Sequence, residues 1–418
     1  MNTEKAVPKL RFSGFTDEWN EVTLNDVATF SKGKGISKND ISNYGIECVR
    51  YGELYTKYNE MIYNIESKTD LDKNELKLSE KNDILIPCSG ETAIDLATAS
   101  CIQKDQVAIG GDITVIKTNQ YAPFITYYLN QKKTEIAKYA QGISIVHLYP
   151  KDFKVMNIRI PSFNEQKKII ALLEEITKKE QLLESKYQQY QEFKKYLMQQ
   201  IFTQKLRFVD FNNSSWKDYK FKDLGTVKSG VGFSNKYQGH LDLDYNFYKV
   251  SDMNLKGNEK VMTRSNNTID DNLLKDIGVK LIENPSIIFA KVGEAIFLNR
   301  KRIAKQPFLI DNNMMAFSPN ENVDLEFMYY LATSINFGKY AQTGALPSYN
   351  ASDIYSIKCK IPPIEEQKRI GKLLSLADNK IDFCSNQLNK TQEFKKGLLQ
   401  QMFVVQLILS LLQNKKHI

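Results

Sequence analysis

The chain has 418 residues, 42% of them apolar and 25% charged, with a net charge of +8. This is the balance of an ordinary globular protein, and the length predicts two to four domains. No run of 18 apolar residues occurs, so no membrane span is expected, and the opening MNTEKAVPKLRF lacks the apolar core of a secretory signal. The five cysteines are scattered without a CxxC pair and the three histidines lie far apart. That pattern predicts reduced thiols in a cytoplasmic protein and speaks against a zinc site.

In chain order, KLRFSGFTDEW (9–19) leads into the glycine-containing SKGKGIS (31–37). Short β-branched and aromatic runs follow as predicted strands: ECVRY, DILIPC and DITVIK. FITYYLNQKKTEIAKYA (124–140) predicts a single helix. Pro161 then opens a stretch, Asn164 to Gln204, that contains neither Gly nor Pro. Steps of four and three along it mark Ile169, Leu173, Ile176, Glu180, Leu183, Tyr187, Tyr190, Lys194, Leu197 and Ile201, a heptad seam with two charged breaks.

The second half repeats the first. KLRFVDFNNSSW (205–216) echoes the opening, and KSGVGFS (228–234) echoes SKGKGIS. FYKVS, SIIFAKV and MMAFSP predict strands, and LEFMYYLATSINFGKYA (325–341) predicts a second single helix. From Ile361 to Met402 the chain matches Ile160 to Ile201 at 17 of 42 positions without a gap, and its seam runs from Ile370 through Leu374, Cys384 and Lys395 to Met402. Between these frames the interiors diverge. Only weak echoes survive, such as Arg50-Tyr51-Gly52-Glu53 beside Lys249-Val250-Ser251-Asp252.

Two amphipathic stripes of equal length in one chain have reason to pair. Because the chain returns through the second module, an antiparallel pair is the economical geometry. The expected fold class is therefore α+β. Two similar mixed α/β modules are separated by a long antiparallel two-helix coiled coil, related by a pseudo-two-fold internal repeat. The divisions fall at 1–160, 161–204, 205–360 and 361–403, with an apolar tail at 404–418.

Catalytic signatures are missing: there is no GxxxxGK[ST], HExxH, GxSxG or EF-hand loop. Asn284-Pro285-Ser286-Ile287 departs from the Asn-Pro-Pro-aromatic motif of adenine methyltransferases and reads as a turn before a buried strand. Three functions stay open on the residues alone: a DNA-sequence reader, a coiled-coil adaptor whose modules bind protein or glycan ligands, and a self-contained nuclease. Residues 1–160 carry a net charge of −1, so the positive excess sits in the second half. A DNA-binding first module would need a patterned face.

The chain resembles the specificity (S) subunits of Type I restriction-modification systems. The resemblance rests on the duplicated I-P-x-x-x-E-Q-x-x-I (Ile160 to Ile169; Ile361 to Ile370), the duplicated E-F-K-K-x-L-x-Q-Q (Glu192 to Gln200; Glu393 to Gln401), and the repeated module start through Gly33/Gly35 and Gly230/Gly232. It implies two target-recognition domains, each reading half of a split double-stranded DNA sequence, and helices that act as a ruler. Such a chain is non-catalytic and binds no cofactor. Two methyltransferase (M) subunits and further restriction (R) subunits would be its partners, and these would bring AdoMet, ATP and Mg2+. No membrane is involved.

On that reading Ser31, Lys32, Lys34 and Ser37, with Lys228, Ser229 and Ser234, contact phosphates or else form a scaffold turn. Base contacts are expected where the copies differ. In the first module these are Arg50 and Tyr51, then Ser89, Glu91 and Thr92, then Ser144, His147 and Tyr149. In the second they are Lys249 and Ser251, then Lys291 and Glu294, then Ser348, Tyr349 and Asn350. Glu165, Gln166, Lys167, Glu192, Lys194 and Lys195, with Glu366, Gln367, Lys368, Glu393, Lys395 and Lys396, are expected to dock partner subunits or else to be ordinary solvated helix charges.

Overall fold

The structure, a computed structural model, describes residues 8–142, 146–342 and 346–403. Ser144 and the tail 404–418 lie outside these. By its internal contacts the chain forms two compact units, Met1–Leu182 with Gln387–Ile418, and Leu183–Asn386.

In the first unit the predicted strand ECVRY falls in a second sheet, while DILIPC and DITVIK enter a five-stranded sheet, ordered Ala28–Lys32, Ile113–Thr118, Ile84–Pro87, Ser100–Ile102, Met61–Ile62. Its centre, ILIP, is buried at every position, which is why it reads as a continuous apolar run and not an alternation. A four-stranded sheet lies beside it: Ala108–Ile109, Ile46–Val49, Ser67–Thr69, Ile41–Ser42. In the second unit Gly225–Ser229, Met314–Pro319, Ser286–Ala290 and Lys301–Ala304 form the equivalent sheet. A three-stranded sheet of Thr268–Ile269, Tyr245–Tyr248 and Phe308–Ile310 accompanies it. Asn284 and Pro285 are exposed ahead of the buried strand, with the Ser286 hydroxyl donating to the Asn284 carbonyl. In each module the first and last strands pair: Asn20 lies opposite Ile160, and Lys217 opposite Ile361.

The two single helices expected near the module ends are each broken. Ala122–Gln131 stops at Lys132, whose N–H turns back to Leu129, before a short turn Lys133–Ile136. Leu325–Ser334 stops at Ile335, which is extended, and Asn336 then caps the 3-10 turn Phe337–Tyr340. The apolar face of the run continues through the break, so periodicity alone missed it.

The long helices are Phe163–Phe202 and Ile364–Phe403. Each unit holds the start of one and the end of the other. In the first unit Ile169, Ile170, Leu173 and Ile176 share a core with Leu398, Met402 and Phe403, and Glu180 pairs with Lys395 at 3.0 Å. In the second, Leu197 and Ile201 share a core with Ile370 and Leu374, and Lys194 pairs with Asp378. Within each unit the contacting positions therefore rise along one helix and fall along the other, which is antiparallel packing. The charged breaks in the seam are ion pairs. Among the described residues no helix is long and apolar enough to cross a membrane.

The repeated sequence motifs meet in space. Arg11 of the first KLRF forks onto Glu165 through Nε (2.9 Å) and Nη2 (2.7 Å). Arg207 of the second KLRF does the same to Glu366, at 3.0 and 2.7 Å. The neighbouring glutamines dock the helix starts. Gln166 accepts from the Tyr121 N–H and donates to the Pro161 carbonyl, while Gln367 accepts from Asp324 and donates to Pro362. Each clamp thus fixes a module to its helix through buried, satisfied polar groups.

Candidate nucleic-acid interface

In the first module one end of the five-stranded sheet collects most of the expected residues. Lys32 lies opposite Thr114 and Pro87 opposite Ile113, so two strands finish there and one begins. Past that end the chain presses against Ile109-Gly110, with Gly33 N–H donating to Ile113 and Lys34 N–H to Ile109, both at 2.9 Å. A Cβ on Gly33 would stand 1.9 Å from the Gly110 oxygen, so only glycine fits. The parallel pair Ile46–Val49 and Ala108–Ile109 ends alongside, with Gly110 N–H donating to Val49 at 2.9 Å, and this delivers Arg50. Ser89-Gly90 pairs with Val146-His147. Ser89 is corrected: it is buried, and its hydroxyl shares a 3.1 Å hydrogen bond with His147 Nδ1, so it positions the His147 ring, which lies parallel to Tyr149 at 5.9 Å. Phe30, Ser31, Lys32, Tyr149, Pro150 and Lys151 line an open cleft there.

The second module repeats this geometry with other side chains. Gly230 is pressed so closely on Asp311 that a Cβ would stand 1.8 Å from its carbonyl oxygen. Asp311 N–H donates to Tyr248 at 3.0 Å, which brings Lys249 to the same end, and burial raises the Asp311 pKa. Lys291 N–H donates to Asn313 at 2.8 Å, and Val292 lies opposite Ser348. Lys228, Ser229, Lys249, Lys291 and Ser348 therefore gather as Lys32, Lys34, Arg50, Ser89 and His147 do.

Sequence reasoning missed what holds the central cations. Glu53 is buried and accepts from the Arg50 N–H (2.9 Å) and Lys57 (3.1 Å). Asp252 is buried and accepts from the Lys249 N–H (2.8 Å) and the Asn266 amide (2.8 Å). The signal was present: the weak echo between the copies carries an acid three places after the cation in both.

Other expected residues have local duties. Ser37 caps the turn Lys38–Asp40, and its hydroxyl, then its amide, hold the Asp40 carboxyl below the ordinary range. Thr92 caps Ala93–Leu96, and Asn350 caps Ala351–Tyr355. Tyr51, Glu91, Ser234, Ser251 and Glu294 are exposed. Tyr349 is corrected: it is a core residue, its hydroxyl donating to the Ala290 carbonyl at 3.0 Å, and burial raises its pKa.

Half of the expected docking set is also corrected. Glu165, Gln166, Glu366 and Gln367 are 0–2% exposed and form the clamps, so they present nothing to a partner. Lys194 and Lys395 lie in the helix seam as ion pairs. Lys167, Glu192, Lys195, Lys368, Glu393 and Lys396 are exposed. Among the described residues no cluster of His, Cys, Asp or Glu is placed to hold a metal ion.

The model of the Type I restriction modification DNA specificity domain matches residues 16–191 and again 213–393. The chain is 21% identical to the Type I restriction enzyme MjaVIII specificity subunit of Methanocaldococcus jannaschii, over 92% of this chain and 91% of that one. It is 26% identical to the putative MjaX specificity subunit of the same organism, over 45% of each. The S subunit of a Type I restriction-modification system from M. genitalium has the same fold. The TM-score is 0.63 at 17% identity, covering 95% of this chain and 99% of that one.

Proposed function

Because the chain belongs to the Type I restriction modification DNA specificity family, with its domain matched twice, it is a non-catalytic specificity subunit, and we propose how its parts divide that work. Residues 1–160 and 205–360 are the two target-recognition domains, each reading one half of a split, asymmetric duplex sequence. The stretches 161–204 and 361–403 are the spacer between them.

One observation carries the assignment of the reading face. Two modules with divergent interiors bring cations and hydroxyls to the same sheet end through the same glycine-on-carbonyl contact. Lysines and hydroxyls suit phosphate oxygens, while Arg50 and His147 on one face, and Lys249 and Lys291 on the other, suit base edges. Differences between the two sets make the half-sites differ. Half-sites about ten base pairs apart present the same groove face.

The exposed helix charges Lys167, Glu192, Lys195, Lys368, Glu393 and Lys396 dock two methyltransferase subunits. Those subunits bring AdoMet, and the restriction subunits bring ATP and Mg2+. The complex acts in the cytoplasm. Mapping methylated adenines in cells that carry or lack this chain tests the reading. A set of sites that appears only with the chain supports it, and an unchanged set refutes it.

A further inference from the structure

Three features of the second module stand outside the contacts described so far. Phe297 and Leu298 are consecutive large apolar residues, 59% and 58% exposed. Asn299, next in the chain, adopts a left-handed backbone (φ 51°). Lys301 is buried with no carboxylate within 4 Å among the described residues.

They form one device. The Asn299 side chain accepts at Oδ1 from the Phe337 N–H (2.9 Å) and donates through Nδ2 to the Ile335 carbonyl (3.2 Å). Lys301 Nζ also donates to Ile335 (3.0 Å) and stands 4.0 Å from the centre of the Phe337 ring. Left-handed backbone is uncommon outside glycine, and at Asn299 the surrounding contacts hold it. The same contacts hold the turn Glu294–Ile296 and the two residues after it rigidly against the segment Ile335–Phe337. The braced turn leaves the sheet directly after Lys291, and Gly293 N–H donates to the Pro347 carbonyl at 2.8 Å beside Ser348. Leu346 packs over Gly293. Exposed Arg300 follows in the chain. A rigid apolar pair continuous with the cationic reading face is therefore presented outward.

Resting on the reading of that face as DNA-binding, we propose that Phe297 and Leu298 are specificity-determining residues that pack on the 5-methyl group of thymine in the half-site read by residues 205–360. Duplex DNA is the occupant because the pair is flanked by cations that complement a polyanion, Lys291 of the reading face before it and the exposed Arg300 after it. Thymine is the base because its methyl is the apolar feature of the major groove. The first module places the smaller Ile94 at the matching position after Gly90-Glu91, followed by Asp95. Its half-site is thus read without an aromatic contact there.

The test uses the full chain assembled with its methylating partner, on duplexes carrying the mapped target. Single thymines are replaced by uracil, which deletes only the methyl. For the unsubstituted chain, one replacement in one half-site is expected to weaken binding about fivefold to tenfold. Phe297→Ala with Leu298→Ala, and Leu298→Ala alone, should abolish that sensitivity. Discrimination in the other half-site and the slope of affinity against salt should stay unchanged, since no phosphate contact is lost. Both side chains are exposed, so melting should be unaltered. Variants that keep the uracil sensitivity, or a mapped half-site without a T·A pair, overturn the proposal while leaving the subunit's role intact. Variants that fold but no longer assemble with the methylating partner overturn it in favour of a protein contact. An original complex with no sequence preference refutes the functional reading itself.

Discussion

Arg207→Ala tests whether the buried clamp holds a module to its helix. The Glu366 side chain is fully buried and receives three donors: Arg207 Nε at 3.0 Å, Arg207 Nη2 at 2.7 Å and Trp216 Nε1 at 3.4 Å. Removing the guanidinium leaves a carboxylate with the long indole contact alone. Breaking a buried pair from one side costs about 3–5 kcal/mol, because the remaining charge is desolvated without compensation. For a unit of this size each kcal/mol moves the midpoint by roughly 2–4 °C, so melting of the second unit should fall by about 6–20 °C. The double variant Arg207→Met with Glu366→Met removes both charges and should recover most of that loss. The two tryptophans, Trp19 and Trp216, lie one in each module, so Trp19→Phe leaves Trp216 as the fluorescent reporter of the clamp in a urea titration. A loss under about 1 kcal/mol for Arg207→Ala, or a double variant as unstable as the single one, would refute the reasoning.

Gly33→Ala and Gly230→Ala force a methyl onto a carbonyl oxygen, at 1.9 and 1.8 Å. Each should cost about 1–3 kcal/mol by denaturant titration and abolish discrimination at one half-site only. Burial pushes the Lys301 amine down to about 7. Above that pH the folded chain has released a proton that the unfolded chain keeps until about 10.5. Stability should therefore be flat below pH 7 and rise by about 1.4 kcal/mol per unit above it. Lys301→Met should remove that slope in urea titrations between pH 6.5 and 9.5. Glu53→Gln should relax base discrimination in the first module's half-site, read by methylation of single-base variants, because Arg50 loses the carboxylate that fixes its backbone. Inserting four residues into both long helices adds about 6 Å to each and should change the tolerated spacer while leaving the half-site sequences alone.

Much of the architecture was legible because the chain states it twice. The repeat exposed the seam, and residues such as Ile169, Leu173, Ile370 and Leu374 are buried where the heptad places them. The charged seam positions were legible as exceptions, though not as pairs. Glu165-Gln166 and Glu366-Gln367 were misread for a physical reason: charged and amide side chains are seldom fully buried, so repetition looked like a shared surface. Their partners, Arg11 and Arg207, lie 154 and 159 residues away, and no local pattern links them. At the candidate face the cations and glycines were readable from composition and spacing. The core role of Tyr349 was not, since it stands where the first module has the buried Leu148, and a tyrosine in a polar loop reads as a surface residue. Phe297 and Leu298 passed unnoticed because an apolar pair gives no sign of which way it points.

The edge ribbons, Asn20 opposite Ile160 and Lys217 opposite Ile361, bear on how such a chain acquires new preferences. Each module begins and ends at adjacent backbone, and its fastening arginine and glutamate stand outside those two points. Everything between is expected to behave as an exchangeable cassette under recombination, provided the incoming segment returns its ends side by side and keeps the backbone donors that Tyr121 and Asp324 offer the helix glutamines. Novelty in recognition is thereby uncoupled from the machinery of assembly.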